Sequence, residues 1–185
     1  MDEQSDEAPD EALMARVAGG DEQAFRALAQ RHVPRAIALA RRILGNSADA
    51  EDVAQDAMLR VWTNAPRWQP LALFRTWLTR IVVNLCLDRK RRVPFSALEA
   101  AGDIVDPAPD AAAQHETSDT GRLVDSAIAA LPGRQRAAIV LTYRGGLSNA
   151  QTAEVLDTTV KAVETLLVRA KQSLRGTLGP KLDRD

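Results

Sequence analysis

Apolar side chains recur at intervals of three and four residues along most of the chain, with polar and charged side chains between them. That spacing gathers the apolar groups on one face of an α-helix. Prolines, glycines and capping residues divide the pattern into segments. The predicted helices span residues 10–18, 21–44, 48–62, 74–92, 119–131, 134–143, 147–156 and 160–174. The pattern therefore predicts an all-α fold.

The last two predicted helices have the layout of a helix-turn-helix. Ser148 and Gln151 are spaced as a capping box, and Asp157–Thr159 ends one helix and offers a cap to the next. The second helix is expected to bury a stripe made of Val160, Val163, Leu167, Ala170 and Leu174. Its polar and basic side chains lie off that stripe, so the helix can enter the major groove of DNA. A plain αα-hairpin has the same pattern, and the pattern alone leaves DNA binding open.

Composition divides the chain into two small helical domains. Residues 93–118 are rich in proline, alanine and aspartate and lack a sustained apolar period, which predicts an extended acidic linker. The domains then span residues 10–92 and 119–178, between a disordered acidic tail at 1–9 and a short tail at 179–185. Within the first domain, Pro34 is expected to kink or restart a helix.

The net charge of −1 hides a segmented distribution. Residues 1–24 carry about −7, residues 25–92 about +8, residues 93–118 about −5 and residues 119–185 about +3. Two basic blocks between acidic segments favour two modules that face nucleic acid, although solvated helix faces give a similar pattern.

Several classes of protein are disfavoured. No apolar run approaches the roughly 18–20 residues of a membrane span, and the acidic N-terminus lacks the pattern of a secretion signal, so we expect a cytoplasmic protein without membrane insertion. The single cysteine, Cys86, fits a reducing compartment and a core position. His32 and His115 are far apart, and no phosphate-binding loop occurs, so we expect no metal, no cofactor and no catalytic residue.

Three motifs occur in a fixed order. The first is Asp49–Asp56 with Leu59–Trp62, and the second is Phe74–Leu85 ending in the basic run of Asp88–Arg92. The third starts at Leu131-Pro132-Gly133-Arg134-Gln135-Arg136 and continues from Gly146 through the final helix. Together, over residues 10–175, they resemble an extracytoplasmic-function (group IV) sigma factor of bacterial RNA polymerase.

The resemblance implies three sites and no enzymatic activity. The face implied to dock on the core RNA polymerase comprises Asp49, Asp52, Gln55 and Asp56. The residues implied to melt and read the −10 element of promoter DNA are Trp68, Arg75, Trp77, Arg80, Asn84, Arg89 and Arg91. Those implied to read the −35 element are Ser148, Lys161, Glu164, Thr165, Arg169 and Lys171. The resemblance also implies an anti-sigma factor as a partner and a response to stress or another signal.

Two segments depart from the family pattern. In the recognition helix, Glu164 and Leu166 replace basic positions, so fewer phosphate contacts are expected. Glu164 can accept from a cytosine amino group, pair weakly with Lys161 or be a solvated carboxylate. The loop at 64–72, where the family captures a flipped base, holds an exposed-looking Trp68 in place of a Gly/Ser-rich segment.

The alternatives are an autonomous helix-turn-helix regulator, a metal-dependent hydrolase and a helical adaptor. The regulator would bind duplex DNA without polymerase and would not need residues 49–92.

Overall fold

The computed structural model describes residues 8–92 and 119–182, and the predicted linker at 93–118 lies outside them. Within these residues the regular structure is helical throughout, which confirms the all-α fold. The α-helices are α1 (Asp10–Ala18), α2 (Glu22–Leu44), α3 (Ser47–Asn64), α4 (Phe74–Arg92), α5 (Asp119–Ala129), α6 (Gly133–Ile139), α7 (Asn149–Val155) and α8 (Val160–Leu182). A 3-10 turn spans Ala65–Arg67, and a π-helical turn spans Val140–Arg144.

The predicted caps set the helix ends. The Asp21 carboxylate accepts from the backbone N–H groups of Gln23 and Ala24, at 2.9 and 3.0 Å. Gly45 ends α2 with φ of 83°, a conformation that glycine adopts without steric cost. Ser148 and Gln151 form the reciprocal capping box at the start of α7. Local residue chemistry therefore positions the start of the helix-turn-helix and both ends of the longest helix in the first region.

Pro34 does not restart a helix, so the restart alternative of that prediction is wrong. α2 continues from Glu22 to Leu44 with Pro34 at an exposed position inside it. Proline removes one backbone hydrogen bond, at a cost of about 3 kcal/mol. Buried Leu28 and Ala36, on either side of it, are both packed into the same core, and this burial offsets the lost hydrogen bond.

The first region, α1 to α4, encloses an apolar core. Its largest fully buried side chains are Leu13, Met14, Leu28, Ile43, Val53, Val61, Phe74, Val82 and Val83. Cys86 is fully buried in this core. His32 is 5% exposed, with Nε2 2.7 Å from Asp10 Oδ2, and its ring packs edge-on against Phe74. His32 is therefore a packed histidine.

The second region, α5 to α8, forms a smaller helical core under the helix-turn-helix. Val163, Leu167 and Ala170 are buried, as predicted, but Val160 is 42% exposed. The prediction that Val160 is buried is therefore wrong. Val160 is the first residue of α8, so the buried stripe begins one turn later, at Val163. The helix continues to Leu182, past the last residue of the predicted stripe.

The two regions pack against each other along α4. Arg136 on α6 is buried, and its Nη1 donates to the carbonyl oxygen of Ile43 at 2.8 Å. Ile43 lies in the last turn of α2, where carbonyl groups have no partner within the helix. Arg136 therefore caps a helix of the other region, and its positive charge lies at the negative end of the α2 dipole. Arg80 on α4 forms a second bridge, 2.9 Å from Asp157 in the turn of the helix-turn-helix.

Candidate polymerase and nucleic-acid interfaces

The predicted polymerase-docking residues form one face of α3. Asp52, Gln55 and Asp56 are exposed, and Asp49 is half-buried. The Asn46 side chain caps the helix by accepting from the Asp49 backbone N–H at 3.1 Å. Asp49 and Asp52 lie in the first two turns and Asp56 in the third. Asp49, in the first turn, also interacts favourably with the helix dipole.

Arg89 of α4 reaches this acidic face. Its Nη2 lies 2.7 Å from Asp49 Oδ1 and 2.8 Å from Asp52 Oδ2. The hydrogen bond to Asp52 raises the pKa of Arg89 above its already high ordinary value. Asp56 has no ion-pair partner within the described residues. A single guanidinium of the chain therefore compensates one of the three negative charges of this face, and the Asp56 carboxylate is available to a basic partner.

Apart from Trp68, which lies in the preceding loop, the predicted −10 residues are distributed along α4. Arg75 and Arg80 are exposed, and Asn84 is half-buried. Arg80 is paired with Asp157, and Arg91 is paired with Asp88 one turn earlier on the same helix. Only part of this basic set is therefore available to DNA in the packed arrangement.

Trp68 and Trp77 belong to an aromatic cluster with Phe74. The Trp68 ring centroid lies 6.1 Å from that of Trp77 and 6.4 Å from that of Phe74. Both tryptophans are half-buried, so the expectation that Trp68 is exposed is wrong. Aromatic rings packed in this way bury large apolar areas. The contact of Trp68 with Phe74 and Trp77 therefore holds the loop at 64–72 against the start of α4.

The apolar tip of the loop is made by two leucines that sequence reasoning missed. Leu71 is 89% exposed and Leu73 is 71% exposed. Both leucines follow Pro70 in a segment without helical periodicity. Two leucines in such a segment have no helix face to pack on, and this feature of the sequence indicates an exposed apolar tip.

The predicted −35 residues are all exposed on the helix-turn-helix. The Ser148 hydroxyl is engaged in the capping box, and the Thr165 hydroxyl donates to the Lys161 carbonyl at 2.9 Å. Lys171 places Nζ 5.1 Å from the centroid of the Tyr143 ring, a cation–π contact. Glu164 forms no ion pair with Lys161, which removes the surface-pair alternative. The five of these residues that belong to α8 all lie off its buried stripe.

Comparison with known proteins gives the family. The Sigma-70 region 2 model matches residues 28–93, and the Sigma-70 region 4 model matches residues 121–174. The chain is 38% identical over 173 residues to the ECF RNA polymerase sigma factor SigM of Mycobacterium tuberculosis, which covers 94% of this chain and 86% of that protein. The chain belongs to the extracytoplasmic-function sigma factors. It therefore directs initiation of transcription by bacterial RNA polymerase at promoters.

Other relatives of this sigma factor agree. The ECF RNA polymerase sigma factor SigW of Bacillus subtilis is 33% identical over 180 residues, covering 88% of this chain and 93% of that protein. The solved structure of CnrH in complex with the cytosolic domain of CnrY aligns with a TM-score of 0.66 and 32% identity, covering 92% of this chain and 97% of that chain. The family assignment thus extends over both helical regions.

Among the residues that the structure describes, every helix is too short or too polar to span a lipid bilayer. Nor do residues 8–92 and 119–182 hold a group of three or more His, Cys, Asp or Glu side chains able to bind a metal ion.

Proposed function

We propose that this sigma factor works through three separate surfaces on two domains, residues 10–92 and 119–178. The acidic face of α3 docks on a basic surface of the core polymerase. The basic face of α4 holds opened −10 DNA, and α8 reads the −35 element in the major groove. The supporting observation is that each of the two matched regions presents an exposed, charged face of the sign its partner requires.

Two modest DNA sites on one chain explain how small surfaces give high specificity. Linked binding converts the second contact into an intramolecular one, at an effective concentration set by the tether. Free in solution, the chain should bind promoters weakly, because polymerase is what holds the two sites at the spacing of a promoter.

We further propose that an anti-sigma factor holds this chain until a stress or other signal releases it. The solved structure of the similar protein CnrH contains the cytosolic domain of CnrY, which supports a protein partner of this kind. The chain itself is proposed to be a non-enzymatic subunit of the cytoplasm, because catalysis in transcription belongs to the core polymerase.

The test is in vitro transcription from a pool of genomic promoter fragments with bacterial core polymerase, with and without this chain. The expected result is a set of transcripts that require the chain and share a pair of upstream elements. Tight binding of duplex DNA by the chain alone, with no chain-dependent initiation, would instead identify an autonomous regulator.

A further inference from the structure

Two neighbouring ridges of side chains make up the exposed face of α8. Residues four apart stack along a helix, so Val160, Glu164 and Val168 form one ridge. Lys161, Thr165 and Arg169 form the adjacent ridge. Val168 is 54% exposed and Val160 is 42% exposed, whereas other apolar residues of this helix, such as Val163 and Leu167, are buried. The first ridge is thus a carboxylate between two exposed aliphatic groups.

Glu164 is restricted in what it can bind. A carboxylate only accepts hydrogen bonds, and Glu164 has no ion-pair partner among the described residues. In the major groove, guanine presents two acceptors and repels it, whereas cytosine presents an amino donor. Adenine also has an amino group, but its adjacent N7 atom is an acceptor. When the amino group binds one carboxylate oxygen, N7 faces the other oxygen and repels it. Cytosine is therefore the base that suits Glu164.

The two valines suit a different base. A valine side chain neither donates nor accepts, so a polar base edge placed against it loses water without gaining a partner. The thymine methyl is the apolar group on the major-groove edge. Eight residues of helix span about 12 Å, which corresponds to about three or four base steps of roughly 3.4 Å.

We infer that α8 reads thymine methyl groups through Val160 and Val168 and a cytosine amino group between them through Glu164. This inference rests on the proposed role of α8 in reading the −35 element. Lys161 and Arg169, on the neighbouring ridge, are left to hold phosphates. The Thr165 hydroxyl proton is engaged by the Lys161 carbonyl, so it is not available to a base acceptor.

The test replaces thymine by uracil, which removes only the methyl group, at each position of the upstream element selected in the transcription experiment. Holoenzyme binding is measured on each template. Two positions, three or four steps apart, should weaken binding by about four-fold each, the value expected for one buried methyl. Val168→Ala should abolish the uracil effect at one of the two positions. The control is thymine-to-uracil replacement in the −10 element, where Val168→Ala should change nothing.

A second variant tests the carboxylate. Glu164→Gln should shift the preference at the intervening position from cytosine towards adenine, because an amide can both donate and accept along the adenine edge. Both substituted side chains are exposed, and circular dichroism should show unchanged helix content.

The outcomes separate this inference from the proposed function. Chain-dependent initiation that is insensitive to uracil throughout the upstream element would overturn the inference and leave the sigma-factor role intact. The absence of chain-dependent initiation on every template would overturn both.

Discussion

Arg89 donates a hydrogen bond to Asp52 across 2.8 Å, which ties a residue proposed to contact promoter DNA to one proposed to contact the polymerase. The same guanidinium also reaches Asp49. A basic surface of the polymerase that approaches Asp52 must therefore compete with Arg89. If the polymerase wins, Arg89 is released towards DNA, so docking on the core would favour binding of the −10 element.

Arg89→Gln should accordingly tighten core binding while weakening opening of the −10 element. The exposed ion pair is worth about 0.2–1 kcal/mol, so the gain in core affinity should not exceed about five-fold. Titration of labelled chain with core polymerase measures the first effect, and permanganate reactivity of promoter thymines measures the second. Arg91→Gln is the control for the core-binding measurement, because Arg91 pairs with Asp88 and not with α3. Weaker core binding in Arg89→Gln alone would mean that Arg89 itself contacts the polymerase.

Asp56→Arg should strongly reduce core binding, and adding Asp52→Arg should abolish it. Both positions are exposed, so the fold should persist and circular dichroism should be unchanged. Glu22→Arg makes the same charge reversal at an exposed position on α2 and should leave core affinity as it is. Co-purification with core polymerase is the readout. Normal recovery of the folded double variant would refute the proposed docking face.

Lys161→Ala combined with Arg169→Ala should weaken upstream DNA contacts and retain core binding. Each phosphate contact adds about 0.9 to the slope of log affinity against log salt, so the slope should fall by about two. Holoenzyme binding at several salt concentrations gives the slope. Arg26→Ala, which neutralises an exposed arginine on α2, should not change it. A loss of core affinity in the double variant would show that the two sites are misassigned.

Arg136→Ala should loosen the packing of the two regions. It removes a charged hydrogen bond to the Ile43 carbonyl, an interaction worth about 1.5–3 kcal/mol, together with the packing of the side-chain stem. Small-angle scattering should then report a larger radius of gyration. Arg134→Ala is the matched control, because Arg134 donates to the Leu156 carbonyl within the second region. An unchanged radius in Arg136→Ala would mean that other contacts determine the packing.

The packing should also strengthen as pH rises above about 8. Burial, and secondarily repulsion by Arg136, lowers the pKa of Lys90 from 10.5 to about 8. The aliphatic part of the Lys90 side chain lies beside Gly133 of the second region, since its Cδ is 3.5 Å from where a Cβ atom on Gly133 would be. The second region therefore contributes to the burial of Lys90. Between pH 8 and 10.5, Lys90 is largely neutral when the two regions are packed and becomes protonated when they separate. Separation therefore takes up a proton in this window, and the packed form becomes more stable relative to the separated form as pH rises.

Scattering measured from pH 7 to 10 checks this prediction, and Lys90→Met should flatten the profile. Cys86 does not interfere, because burial raises its pKa to about 12. A pH dependence that survives in Lys90→Met would assign the effect to another group.

Helix ends and helix extents can be predicted from the sequence, whereas contacts between residues far apart in the chain cannot. The caps at Asp21 and Ser148 and the full extent of α4 follow from side chains close in sequence. The contact of Arg136 with Ile43 joins residues 93 positions apart and leaves no periodic signal. The helix does not restart at Pro34, because tertiary burial outweighs a single lost hydrogen bond.

The same distinction between local and long-range features applies to the candidate sites. Exposure of the −35 residues of α8 follows from helical periodicity, since those residues lie off the buried stripe. The pairing of Arg89 with Asp49 and Asp52 depends on how α3 and α4 lie together, which periodicity does not specify. The exposure of Val160 is not predictable from the pattern, because a helical period does not say at which turn burial begins.

The fully buried Cys86 gives the protein an internal reporter. Thiol reagents attack the thiolate, and a pKa of about 12 leaves almost none at neutral pH. Alkylation of Cys86 should therefore wait for the core of the first region to open. Because the sequence contains one cysteine, the rate at which the whole chain is alkylated directly reports how often this core opens. A bound partner that stabilises the first region should lower that rate.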